Sequence, residues 1–136
     1  MIKDVLILFS SISFVIYSLY SIFSKRMILE FSRWRLGILR VLVASFQMLG
    51  GVGLLLGMYN IWLLCLVSFL LILMMISAVI IRIRVKDSFL MTLPAIIYAL
   101  LNSVIFYISF FVHLYLNQIL NLLVKFATDK QRKIHD

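Results

Sequence analysis

Between Val41 and Ile81 the chain runs forty-one residues without one charged side chain. As a single helix that stretch would be roughly 60 Å long, about twice the hydrocarbon thickness of a bilayer. It has to fold back on itself, and Gly57-Met58-Tyr59-Asn60 near its middle is the place for the turn. Uncharged runs on either side, Val5 to Ser24 and Ser88 to Val124, bring the expected membrane crossings to four.

Composition supports the same picture. Residues are 65% hydrophobic and 13% charged, whereas a soluble domain is about half apolar and a quarter charged. A fold of 136 residues leaves too much of itself outside to hide that apolar surface from water. The net charge of +8 would suggest nucleic acid in a soluble protein. Here the cations flank hydrophobic runs, which matches lipid headgroups and the positive-inside effect instead, so no nucleic-acid partner is expected. Cys65 is the single cysteine, so one chain can build neither a disulfide nor a thiolate metal site. No metal and no cofactor are expected. The first run lacks a small-x-small cleavage pattern and closes on Lys25-Arg26, the mark of a retained crossing.

The expected fold is all-α: a membrane-embedded up-down four-helix bundle in one domain, with helices at about 5–24, 39–58, 61–81 and 89–113. A basic connector, 25–38, lies at the interface, with Met27, Phe31, Trp34 and Ile38 on its apolar side. Residues 114–136 form a helical extension or surface segment, with a frayed tail from Phe126. Asp87 is placed to cap the fourth helix, and Pro94 falls in its early turns, where its missing donor costs least.

Polar residues recur at helical spacing. On the first helix Ser10, Ser13, Tyr17, Ser21 and Ser24 share one face, and Ser11 and Ser18 form a second line. Arg40, Ala44, Gln47 and Gly51 stripe the second helix beside Gly50, Gly53 and Gly57, whose spacing permits close packing. Ala95, Tyr98, Asn102, Ser109 and His113 stripe the fourth. In lipid such faces turn inward. The basic connectors hold Arg26, Arg33, Trp34, Arg35, Arg82, Arg84 and Lys86, a set suited to headgroups; short-loop charge places them in the cytoplasm of a plasma (bacterial inner) membrane.

The stretch from Phe31 to Ala95 resembles the DoxX-like family of small four-helix membrane proteins. Trp34, Arg40, the Gln47-x-x-Gly50-Gly51-x-Gly53-Leu54-Leu55-Leu56-Gly57 run, Met75 with Ala78, Lys86-Asp87 and Leu93-Pro94-Ala95 carry the likeness. Gln47 stands where many relatives have an acidic residue. Some relatives are subunits of thiosulfate–quinone oxidoreductases or are associated with redox maturation, so the resemblance implies a membrane-subunit or accessory role.

Arg40 with Gln47 is either a polar pathway through the membrane or a snorkelling cation beside a packing amide. His113 with Asn102, Ser109 and Tyr98 either binds a small polar group or holds a cofactor, or else His113 is an interfacial side chain with an interhelical hydrogen bond. Paired carboxylates and nucleophile–base sets are lacking. The leading expectation is a non-catalytic accessory subunit that packs its glycine strip against a copy of itself or a larger membrane partner. The alternative is a quinone-linked redox subunit with Arg40, Gln47, Tyr98 and His113 around one pocket, and a small transporter comes third. The quinone alternative fails if Arg40 and His113 lie on opposite sides of the membrane.

Overall fold

The computed structural model describes residues 1–135, with side chains to Lys133. Every element in it is helical: α1 Ile2–Phe23, α2 Lys25–Arg33, a 3-10 turn Gly37–Leu39, α3 Arg40–Gly57, α4 Ile61–Arg84 and α5 Phe89–His135. Four segments, beginning at Ile2, Gly37, Ile61 and Phe89, are long and apolar enough to cross a bilayer.

Neighbouring crossings run antiparallel, as specific contacts show. Ser11 faces Gly51 and Ser18 faces Ala44 across α1 and α3. Gly57 meets Leu64, Gly53 meets Val67 and Gly50 meets Leu71 across α3 and α4. Phe69 packs on Phe106 and Trp62 on His113 across α4 and α5. The ring closes where Ser10 donates to Asn102 and Phe14 meets Tyr98, between α1 and α5. One end of the bundle therefore carries both basic connectors, and the other carries the Met58–Asn60 turn.

Within the crossings, small polar side chains gather inside and large apolar ones face outward. Ser10, Ser11, Ser18, Gln47, Ser68, Asn102 and Ser109 are buried together with Ile7, Phe14, Leu54, Leu64, Leu71 and Ile105. Phe9, Ile12 and Ile16 on α1, and Leu66, Phe69 and Leu73 on α4, stay exposed. That inversion follows from solvent: lipid gives apolar side chains no reason to leave it, whereas hydroxyls gain from finding one another. The chain is an integral, multi-pass membrane protein.

Several local outcomes differ from expectation. α5 continues unbroken past His113 to His135, so residues 114–135 form a helical extension of the kind expected, while the tail expected to fray from Phe126 is helical as far as the described residues go. No glycine or proline follows Pro94 to stop it. At 1.5 Å per residue α5 is about 70 Å long, so it outruns one crossing. This projection helps explain a surface of 9798 Å², against about 7300 Å² for a compact soluble protein of this mass. α4 runs to Arg84 rather than Ile81, because cations suit a helix C-terminus. α2 ends at Arg33, and the left-handed Arg35 (φ 59°) breaks its register, so Ile38 points outward, 97% exposed. Met27 and Phe31 are buried all the same, and α2 lies as a lid on the bundle end.

Candidate functional site

Glycine placement sets the shape of the site. A β-carbon on Gly57 would stand 2.8 Å from the Leu64 Cα, and one on Gly51 would stand 2.9 Å from the Ser11 carbonyl oxygen. Gly53 and Gly50 press on Val67 and Leu71 in the same way. The strip joins α3 to α1 and α4 inside the molecule, with Gly51 and Gly57 buried and Gly50 and Gly53 half-buried. A helix cannot know from its own residues whether a small-residue face will meet a neighbour in the same chain or in another.

Past the Gly50–Leu71 contact, towards the connectors, the facing residues no longer meet. Val43 and Gln47 on α3 and Met74 and Ala78 on α4 line a cavity of about 240 Å³. Ser13, Phe14 and Tyr17 of α1 and Pro94, Ala95 and Tyr98 of α5 close its sides. Phe31, Trp34 and Leu36 roof it from the connector, and Arg82 lies at its rim. On the α3–α4 seam a second groove without polar side chains runs along Phe46, Leu49, Gly50, Val67, Leu70 and Leu71 and shares Met74 with the cavity.

Two of the lining residues carry a buried polar atom without a partner. Gln47 is 4% exposed, and its Oε1 accepts no hydrogen bond; the buried Trp34 Nε1–H finds no acceptor. Ser21 and Ser109, outside the cavity, also carry unpartnered hydroxyls, and leaving such a group unpaired costs about 1–3 kcal/mol.

The roof is held by charge. Asp87, its side chain 1% exposed, takes Arg33 at 2.7 Å and Arg82 at 3.2 Å. Arg33 also binds Glu30 at 2.6 Å, and the Arg82 guanidinium lies 4.9 Å from the Trp34 ring centroid. The Asp87 and Glu30 carboxylates, accepting hydrogen bonds from the Arg33 guanidinium, raise its pKa above the ordinary value. Asp87 thus clips α2 to the α4–α5 turn. It is not the expected cap of α5: Ser88 occupies that place, its carbonyl taking the Met91 and Thr92 N–H groups.

The residues grouped from sequence separate. Gln47 and Tyr98 share the cavity. Arg40 does not line it; its Nη1 donates at 2.7 Å to the Ser21 and Ile22 carbonyls, satisfying the end of α1 where a cation also suits the helix dipole. Asn102 is fully buried, bonded to Ser10 and to the Tyr98 carbonyl. His113 stands at the opposite end, with its ring near Trp62 and its Nε2 near Asn117. From Met91 to His113 is roughly 33 Å along α5, so Arg40 and His113 cannot serve one ligand. Of the headgroup set, Arg26, Arg35, Arg84 and Lys86 are exposed, while Arg33, Trp34 and Arg82 hold the roof. The serine lines also divide: Ser11 and Ser18 bond α3 carbonyls, Ser10 bonds α5, and Ser13 and Tyr17 face the cavity.

No group of three metal-ligating side chains occurs among the described residues. Comparisons with curated proteins and with solved structures return no match. A family model does match, over residues 7–104, which takes in α1 to α4 and the cavity-lining part of α5. With that match covering most of the chain and a four-crossing bundle around it, the protein belongs to the DoxX-like family.

Proposed function

We propose that this chain is a non-catalytic accessory protein of the plasma membrane, one membrane domain that works by binding and assembly. The observation that carries this is the second half of α5. Every residue from Leu114 to Lys133 is exposed, including Leu116, Ile119, Leu120, Leu123 and Phe126. These apolar side chains continue beyond the bundle and beyond the family match. With the glycine strip used internally, this extension is the surface available to a larger membrane partner or a second copy.

The cations of both connectors gather at one end, and short-loop charge favours that end in the cytoplasm. Extraction in mild detergent tests the assembly reading: the full chain should migrate as a complex, and a chain ending at His113 should migrate alone. A stable, partner-free monomer of the full chain refutes it. Reporter fusions at either end test the orientation.

The quinone-linked alternative, built on Arg40, Gln47, Tyr98 and His113, loses support from the separation of Arg40 and His113. What survives of it is a cavity holding Gln47 and Tyr98.

A further inference from the structure

We infer that α5 pairs with the α5 of a second copy of this chain, side by side and pointing the same way, along a seam that starts within the membrane and continues past it. A second copy is then the partner in the assembly proposed above, on which this pairing rests.

The bundle ends near His113. Trp62, at the start of α4, packs on His113, and Lys3 and Asp4 stand in the first turn of α1 at the same end of the molecule. Leu114 to Lys133, about 30 Å of helix, therefore project beyond the crossings. Their pattern changes accordingly. Within the bundle α5 buries Asn102 and Ser109 and shows Leu100 and Tyr107 to lipid. Beyond it Asn121, Lys125, Thr128 and Arg132 take up the outward line that Leu100 and Tyr107 began, and the rest of the surface is apolar as far as Ala127. That division suits a helix in water, where an apolar side gains from being covered in a way it does not in lipid.

One apolar line runs unbroken through both settings. Ile97, Val104, Phe111, Tyr115, Leu122 and Phe126 lie within about 60° of one another around the helix, and each is exposed. The one proline of α5, Pro94, precedes them all, so the line stays straight. A partner that covers the whole of it must itself leave the membrane as a straight helix at the same height. A second copy does so by construction: both copies insert the same way up, so their α5 helices run parallel with like residues level. A soluble partner covers only the outer part, and a helix confined to the bilayer only the inner part.

Area and charge agree with this occupant. Outside the crossings Tyr115, Leu122, Phe126 and the flanking Ile119 and Leu123 each expose on the order of 100 Å², so two copies bring together roughly 1,000 Å² of apolar surface, the scale at which specific pairing begins. The crossing part of the line adds to it. Lys125 and Arg132 lie on the polar side, whereas Asp129 stands beside Lys130 and Lys133 where the seam ends. Two copies therefore meet there with both signs of charge and not with cations alone.

The test uses the full chain with Cys65→Ser, in membranes. Under mild copper-catalysed air oxidation, single cysteines at Tyr115→Cys and Leu122→Cys should give disulfide-linked dimers. Asn117→Cys and Asn121→Cys, on the polar side, should give at least tenfold less. All four positions are exposed, so these substitutions leave the bundle core untouched. Two copies with different tags, expressed together and extracted in mild detergent, should be recovered on either tag, and Leu122→Lys combined with Phe126→Lys should abolish that recovery. Equal cross-linking on both sides, no cross-linking on the apolar line, or undiminished recovery of the double variant would each overturn the pairing. Tags that never purify together while the full chain still migrates as a complex would overturn it too and leave the assembly reading intact with a different partner. A partner-free monomer would overturn both.

Discussion

Removing the Asp87 carboxylate should loosen the roof of the cavity without unfolding the bundle. Asp87→Ala strips one partner from two arginines. Arg33 is 46% exposed and keeps Glu30, so its loss is that of a surface pair, about 0.5–1 kcal/mol. Arg82 is 15% exposed and keeps only the Trp34 face, so a hydrogen bond to charge of about 1.5–2 kcal/mol is lost there. Together about 2–3 kcal/mol is withdrawn from the contact between α2 and the α4–α5 turn. Each 1.4 kcal/mol is tenfold, so the lifted state of α2 should become roughly 30- to 140-fold more populated. Amide hydrogen exchange in nanodiscs reads this directly: protection should fall across Lys25–Arg33 and hold in α3 and α4. Met27 and Phe31, both buried, keep the helix docked most of the time. Unchanged exchange in α2, or a loss spread evenly over all helices, would refute the clip.

Gly57→Ala forces a methyl to within 2.8 Å of the Leu64 backbone and should cost about 1–3 kcal/mol, seen as a lower melting temperature. Gly37→Ala meets nothing within 4 Å and should be neutral or slightly stabilising in the same assay. Arg40→Ala frees the Ser21 and Ile22 carbonyls and should cost about 1.5–3 kcal/mol, with faster amide exchange at the end of α1; Arg40→Lys should recover part of it. Lys86 sits left-handed at φ 58°, so Lys86→Gly should raise stability by about 0.5–1 kcal/mol in thermal unfolding.

Charge-free runs made the crossings legible, since their length and their closing cations follow from bilayer thickness alone. Asn60 was readable as a breaker and proves to cap α4, its Oδ1 accepting from the Trp62 and Leu63 N–H groups. Gln47 and Tyr98 were recoverable as cavity residues because both lie on inward polar stripes. The Asp87 clip was not, because it joins Arg33 and Arg82 through a fold that brings two distant connectors together. Arg40 had a signal that was read otherwise: a cation opening one helix lies, in an antiparallel pair, beside the carbonyl end of the preceding one. The left-handed turns at Arg35 and Lys86 carry no glycine to announce them, so the exact exits of α2 and α4 were invisible.

Because α3 and α4 are pinched together at Gly57 and gape at Val43, the pair works like tongs whose rivet sits at one membrane face. A small splay about that rivet moves the jaws most at the Val43 end and hardly at all at the short turn. Access to the chamber can then change while the membrane-crossing frame stays whole, and α2, resting across the open jaws, is the part such a splay would disturb first.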